Sequence, residues 1–351
     1  MNYKNIRLNT KPLYSTNQGQ AFVGDSLALL QQLPDSSIDL VMTSPPFALQ
    51  RQKTYGNVEE SEYVNWLLPF GAEIFRVLKD TGSFVLDLGG AYRSKMPSRS
   101  LYNFRVLIAF CDTLGFHLAE DFYWYNPAKL PSPIEWVNKR KIRAKDSVNT
   151  IWWFSKEPFP KSDVRNVLAP YSERMKKLIE NPEGFYKPTK RPSGHDIGTA
   201  FGKDNGGAIP SNLLEIPNTE STSSYLKLCK EFNIPRHPAR FPSALPAFFI
   251  KMLTEEGDTV LDIFSGSNTT GSASELLKRR WLAFELEHEY LKSSVFRFLE
   301  NAPTDEISSI LEKLSLPTAD ICIDSKLFAS SPVPKKKALR DKNQLTLDGF
   351  T

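Results

Sequence analysis

Apolar positions in this chain gather into short blocks, and the blocks alternate between two periods. Ala21-Phe22-Val23-Gly24 is a brief strand-like run that stops at Gly24-Asp25. Over 26–33 the period lengthens: Leu27, Leu30 and Leu33 share one helical face, and Ser26 stands where a cap belongs. Residues 38–43 form a second apolar strand. Residues 62–79 carry a helical pattern with a break near Pro69, and Asp80-Thr81-Gly82 reads as a turn. A strand over 83–88 ends in Gly89-Gly90, followed by a helix over 100–114 and strands over 117–125 and 148–155. The alternation resumes late in the chain with a helix over 248–253, a strand over 259–264 and a tight Ser265-Gly266-Ser267-Asn268 loop. A helix over 270–279, a strand over 281–285 and a helix over 290–300 complete it. Strands that alternate with helices and stop at glycine- or proline-bearing loops predict a doubly wound, mostly parallel α/β sheet. Ligands of such a sheet sit beyond the carboxyl ends of its strands.

Between the two halves, 156–235 shows no clean period and is rich in proline, glycine and asparagine, so it reads as an irregular insert. The division is therefore 1–155, the insert 156–235, the returning α/β segment 236–300, and a polar extension 301–351 ending in a flexible tail. Composition changes this picture little. Of 351 residues, 40% are hydrophobic and 24% charged, as in ordinary globular proteins. No apolar run approaches the roughly 20 residues of a membrane helix, and the N-terminus lacks the apolar core of a signal peptide. The expectation is an intracellular protein. Three widely spaced cysteines and four histidines, none paired at helical spacing, offer neither a disulfide framework nor a metal site. The net charge of +4 is modest, but Lys139, Arg140, Lys141, Arg143 and Lys145 cluster, as do Arg174, Lys176, Lys177, Lys187, Lys190 and Arg191. Such clusters suit a polyanion, although a solvated face accounts for most basic runs.

Two segments carry candidate chemistry. Thr43-Ser44-Pro45-Pro46-Phe47 follows the second strand directly. Two prolines in a row remove two backbone donors and stiffen the chain, leaving carbonyl acceptors and one serine hydroxyl on display. Acceptors for both hydrogens of an aromatic amino group pull it toward tetrahedral geometry and localise its lone pair. The second segment runs from Asp262 through Phe264, Ser265, Gly266, Ser267, Asn268 and Thr269 into a helix, the arrangement in which backbone N–H groups meet a ligand. About 20 residues beyond the start of this loop, Glu285 closes the next strand, where an acidic side chain takes ribose hydroxyls. The pattern is not Gly-x-Gly-x-x-Gly and no Gly-Lys-Ser/Thr follows, which argues against phosphate cradling. It fits an amino-acid end and a ribose, the parts of S-adenosylmethionine.

Ser-Pro-Pro-Phe after one strand and Asp-x-Phe-x-Gly-Ser-Asn-Thr after another resemble the amino-group DNA methyltransferases. Gly24-Asp25-Ser26 and His237-Pro238-Ala239-Arg240-Phe241-Pro242 add two further motifs, and the order of the four matches the circularly permuted class often called β. The resemblance covers roughly 20–300 and is closest to the N4-cytosine enzymes of type II restriction–modification systems. N6-adenine members usually carry Asp or Asn where Ser44 stands, and adenine N6 is the alternative target. No Pro-Cys motif for C5 attack is present. The resemblance implies a seven-stranded methyltransferase sheet, with 1–155 its catalytic half, 156–235 a target-recognition region and 236–300 its cofactor-binding half. It implies S-adenosylmethionine held by Phe264, Ser265, Gly266, Asn268 and Thr269 with Arg240 nearby, in the setting of Asp262 and Ser267. Glu285 would take the ribose and Asp25 the adenine amine. It places Ser44, Pro45, Pro46 and Phe47 on a cytosine flipped out of double-stranded DNA. Phe47 and Tyr125 are the stacking candidates, with Trp124 packed inside. Lys139, Arg140, Lys141 and Arg143 are candidates for phosphate contact, and Lys190, Arg191 and His195 for contacts in the recognition loops. The resemblance further implies a cognate restriction endonuclease, action as a monomer, and the bacterial cytoplasm. Many members carry a glycine where this chain has Asn268.

Overall fold

The computed structural model describes residues 6, 8–48, 61–182, 202–219, 223–316 and 321–328. Its centre is one ten-stranded sheet in the order β10-β1-β2-β9-β8-β3-β4-β6-β5-β7. These are β1 (Tyr14–Ser15), β2 (Gly19–Val23), β3 (Ile38–Thr43), β4 (Leu78–Leu88), β5 (His117–Tyr125), β6 (Val148–Ser155), β7 (Leu213–Glu215), β8 (Thr259–Asp262), β9 (Arg280–Glu285) and β10 (Ile321–Cys322). The seven strands expected from the pattern are β2, β3, β4, β5, β6, β8 and β9, and they are contiguous in the sheet. The other three are two- or three-residue additions at the edges, too short to leave a period in sequence. From β2 through β9, β8 and β3 to β4 all pairings are parallel, whereas β6 runs antiparallel to both β4 and β5.

The described helices are α1 (Ser26–Leu30), α2 (Tyr63–Val77), α3 (Tyr102–Leu114), α4 (Glu173–Glu180), α5 (Ser224–Glu231), α6 (Ala244–Leu253), α7 (Thr269–Leu276), α8 (His288–Ser294) and α9 (Thr304–Leu314). None of the described helices is long and apolar enough to cross a membrane. Every position of β3 is buried, and its alternate side chains feed opposite faces. Val41 joins the core beneath α1, α2 and α3 with Leu30, Leu67, Ile74 and Phe110. Leu40 and Met42 join the core beneath α6 with Leu245, Phe249 and Ile250. A sheet covered on both faces is what near-continuous apolar parallel strands require.

Two local expectations fail for physical reasons. Pro69 does not break α2, which runs from Tyr63 to Val77 with Leu67, Phe70 and Ile74 buried on either side of it. Tertiary packing of that stripe holds the turn that proline weakens. Asp80-Thr81-Gly82 is not a separate turn but an irregularity inside β4: Ile38 pairs with Leu78 while Leu40 pairs with Ser83. Gly82 is needed there, because a Cβ would lie 2.9 Å from the Lys79 carbonyl.

The stretch after 301 is also more ordered than its polar composition suggests. Helix α9 buries Ile307, Ile310, Leu311 and Leu314, and β10 pairs with β1. Together with Tyr14, Trp281 and Phe296 they form a third core at the β1–β2–β9 edge. The predicted tail, 332–351, lies outside the described residues. Truncating the fully buried Leu314 to alanine is expected to cost about 2–5 kcal/mol of stability, seen as a lower urea midpoint at unchanged slope. An unchanged midpoint would mean that α9 does not belong to the core.

Candidate active site

Strands β3 and β8 are parallel neighbours, with Leu40 opposite Val260 and Val41 opposite Leu261. The two chemically suggestive loops therefore leave the same edge of the sheet side by side. Thr43, the last residue of β3, donates its hydroxyl to Asp262 Oδ1 at 2.7 Å. Asp262, the last residue of β8, also accepts from Thr270 Oγ1 at 2.7 Å and from the Phe264 N–H at 3.1 Å. Burial pushes its carboxyl up to about 6, against the pull of those donors.

On the β3 side, Tyr63 donates its hydroxyl to the Pro46 carbonyl at 2.7 Å and so fixes the second proline. Phe47 lies against the end of β4, where a Cβ on Gly89 would fall 2.5 Å from its ring. Ser44 Oγ donates to Asp87 Oδ2 at 3.1 Å, and Asn149 Nδ2 donates to Asp87 Oδ1 at 3.1 Å. Asp87 is buried near the end of β4. Burial raises its carboxyl to about 6, opposed by the hydrogen bonds from Asn149 and Ser44 and by the charge of Lys129.

On the β8 side, the backbone doubles back through two left-handed residues, Gly266 (φ 50°) and Asn268 (φ 52°). Gly266 has no room for a side chain, since a Cβ would lie 2.9 Å from the His237 ring. Asn268 stands where the related pattern has glycine, and it tolerates the same left-handed backbone. Its Oδ1 caps α7 at the Gly271 N–H (3.1 Å), and its Nδ2 donates to Tyr14 Oη (2.9 Å). Glu285, at the end of β9, accepts from Gly266 N (2.8 Å) and Glu287 N (3.0 Å), and burial pushes its carboxyl above the ordinary range. Asp25 caps α1 through the Ala28 N–H at 2.9 Å. Arg240 donates to the His237 carbonyl and lies over the Tyr225 ring.

One open cleft of about 540 Å³ joins the two sides. Ser44, Pro45, Pro46 and Phe47 line it, as do Asp25, Arg240, Phe264, Ser265, Gly266, Ser267, Thr269 and Glu285. Asp262 and Asn268 are buried and frame the cleft from behind rather than lining it. Trp124 is buried in the core beneath α6, as expected, and its edge also reaches the cleft lining, with Nε1 held by the Ile216 carbonyl at 2.8 Å, whereas the half-buried Tyr125 lies outside that lining. Alternation along β5 puts only one of two adjacent rings on the cleft side. Lys139, Arg140, Lys141 and Arg143 lie outside the cleft on the connection between β5 and β6, all exposed. Lys139 and Arg140 pair with Glu135 at 3.2 and 3.0 Å. Lys190, Arg191 and His195 lie outside the described residues.

Sequence reasoning missed Asp87, Asn149, Asn126, Lys129, Trp66 and Phe70, all of which line the cleft. Asp87 had left a trace: a lone carboxylate inside the apolar run Ser83-Phe84-Val85-Leu86-Asp87-Leu88, just before Gly89-Gly90. Trp66 and Phe70, one turn apart on α2, bring their rings within 5.8 and 5.3 Å of Phe264. They looked like ordinary core positions.

The sequence profile of one family, described as a DNA methylase, matches residues 38–296, the span that holds both loops. The chain belongs to the DNA methylase family. This DNA methylase is 62% identical over 301 residues to the type II methyltransferase M.PvuII of Proteus hauseri, covering 86% of this chain and 90% of that protein. It superposes on the solved PvuII DNA methyltransferase (cytosine-N4-specific) with a TM-score of 0.74 and 50% identity, over 90% of this chain and 98% of that one. The type II methyltransferase M.BglII of Bacillus subtilis is more distant, 27% identical over 282 residues that cover 80% of this chain and 69% of that protein.

If Ser44 takes part in methyl transfer, its contact with Asp87 gives the rate a pH dependence of definite sign. Above about 6 the Asp87 carboxylate accepts the Ser44 hydroxyl proton. Below it the carboxyl is protonated and competes for the serine oxygen as a donor. Methyl transfer at saturating substrate is expected to fall as pH drops through about 6. A flat rate across that range would show that the carboxylate is not needed as an acceptor.

Proposed function

We propose that this DNA methylase transfers a methyl group from S-adenosylmethionine to the exocyclic N4 of a cytosine extruded from double-stranded DNA, within a restriction–modification system. The observation that carries the reading is the adjacency of the amine clamp after β3 and the small-residue loop after β8 on one cleft. The cytosine-N4 specificity of the PvuII enzyme, half identical over nine-tenths of the chain, supports cytosine N4 over adenine N6.

The residues fit the cofactor. Ser265 Oγ is buried at the cleft with no hydrogen-bond partner among the described residues, a donor awaiting a ligand. Gly266 leaves the space a side chain would fill. Phe264, Ser265, Gly266, Ser267 and Thr269, with Arg240, would hold its amino-acid end, Glu285 its ribose and Asp25 its adenine amine. Asp262 and Asn268 would hold the loop in shape. When bound, the cofactor supplies an electrophilic methyl group on sulfonium sulfur.

The chain's own residues do the rest. Ser44 donates a hydrogen bond to Asp87, which leaves the lone pairs of Ser44 Oγ to accept one amine hydrogen. The Pro45 carbonyl takes the other, while Tyr63 holds the Pro46 carbonyl out of use. As N4 gains a methyl group it must lose a proton. Ser44 Oγ accepts that proton and passes its own to Asp87, whose raised affinity for protons suits the role. Phe47 and Trp124 support the extruded ring. Positioning and electrostatics carry the rate. Region 156–235, with Lys190, Arg191 and His195, reads the target sequence, and Lys139, Arg140, Lys141 and Arg143 hold phosphates. The enzyme acts as a monomer in the bacterial cytoplasm, paired with an endonuclease of the same specificity.

Replacing Ser44 with alanine is expected to slow methyl transfer by about a hundredfold, the scale of one positioned polar group, while calorimetric cofactor binding stays as in the wild type. Wild-type turnover in the variant would remove Ser44 from the mechanism. Mass analysis of nucleosides from methylated plasmid is expected to find N4-methylcytosine, and N6-methyladenine in its place would overturn the cytosine reading.

A further inference from the structure

We propose that Leu130 is the side chain that enters the base stack as the target base leaves it, an assignment that rests on the base-extrusion reading above. The connection between β5 and β6 rises from the carboxyl edge of the sheet beside the cleft. Asn126 and Lys129 at its start and Ser147 at its end all belong to the cleft wall. Leu130 follows Lys129 directly and is 80% exposed, more than any other leucine or isoleucine among the described residues. Nothing in the described chain covers it. A leucine held in water beside a binding cleft gains most from an apolar surface brought by the ligand. A base stack opened by an extruded nucleotide is such a surface, and aliphatic wedges between base steps are a known way to fill one.

The segment is built to hold its position. Pro127, Pro131 and Pro133 restrict the backbone around Leu130. Lys145 Nζ donates to the carbonyls of Pro127 (3.1 Å) and Lys129 (3.2 Å), on the cleft side of the leucine. On its other side Asp146 N donates to the Ser132 carbonyl at 2.9 Å, and Arg99 anchors Asp146 through an ion pair of 2.9 Å. A wedge fixed in this way loses little conformational freedom on binding. The exposed cations Lys139, Lys141 and Arg143 share the same connection and suit the phosphates that flank an opened step. Ile134 and Ile142 are less exposed, at 62% and 47%, and both belong to the turn that buries Trp136, farther along the chain from Lys129. The geometry therefore assigns the wedge to Leu130 rather than to them.

The test compares full-length wild type, Leu130→Ala, Leu130→Met and Ile134→Ala on two duplexes that contain a site mapped from plasmid methylation. One carries guanine opposite the target cytosine. The other carries an abasic position there, so that extrusion breaks no base pair. With labelled methyl donor, Leu130→Ala is expected to lose about tenfold or more in kcat/KM on the first duplex and less than about threefold on the second, because the cost of extrusion is already removed there. Leu130→Met is expected to restore most of the loss, and Ile134→Ala to behave as wild type on both. Equal slowing of Leu130→Ala on the two duplexes, no slowing on either, or a duplex-selective loss confined to Ile134→Ala would each overturn the assignment. Wild-type turnover on both duplexes keeps the underlying methylation reading intact, so those results strike the wedge alone.

Discussion

The hydrogen bond from Thr43 to Asp262 is the constraint on which the site depends. It joins the last residues of two parallel neighbours, one carrying the Ser44-Pro45-Pro46-Phe47 loop and the other the small-residue loop. A buried carboxylate is costly unless its oxygens are satisfied. Asp262 meets that demand with donors from three sources: Thr43 on β3, Thr270 on α7 and the Phe264 N–H of its own loop. Each of these ties a different part of the site to one point. A change at any of them would leave a buried charge short of a partner, and such losses cost more than an ordinary hydrogen bond contributes. The two loops are thereby held at a fixed separation without touching a ligand.

Asp87 is the counterpart of Asp262 with a different outcome. Both are fully buried aspartates raised to about 6 by loss of solvent. The donors to Asp262 belong to strand, helix and loop backbone behind the cleft, so its charge serves architecture. Asp87 receives Ser44 at the open cleft, so its charge reaches the space that the proposed reaction assigns to the target amine. Two residues of one type in similar burial are separated in role by what their partners face. The same logic explains Asn268. A glycine would supply the left-handed backbone alone, whereas asparagine adds a helix cap and a link to Tyr14 on β1. Through that link the third core, with α8 and α9, braces the loop: Tyr14 also bonds Ser294 at 2.6 Å.

Much of this was legible along the chain. The seven central strands each carry an apolar block long enough to show its period, and the Ser-Pro-Pro-Phe loop and the small-residue loop each follow such a block immediately. The failures share a cause. Pro69 and the 80–82 irregularity are local signals for breaks, yet packing of α2 and pairing with β3 overrode them. The short edge strands β1, β7 and β10 exist only because a neighbour pairs with them. Trp66 and Phe70 carry no mark that separates a core ring from one that also faces the cleft. Between Trp124 and Tyr125 sequence can say that one faces inward, but not which.

The sequence by itself determined the fold class, the order of the motifs and the residue types available for chemistry, because these follow from periodicity and from the stiffness of Pro45-Pro46 and the smallness of Ser265-Gly266-Ser267. Only the tertiary structure decided which residues share the cleft. Asp87 lies 43 positions from Ser44 along the chain and Asp262 lies 219 from Thr43. They meet because β3 pairs with β4 on one side and β8 on the other. Pairing across a parallel sheet is set by how the helices cover its two faces, a property of the whole packed chain that no single segment encodes.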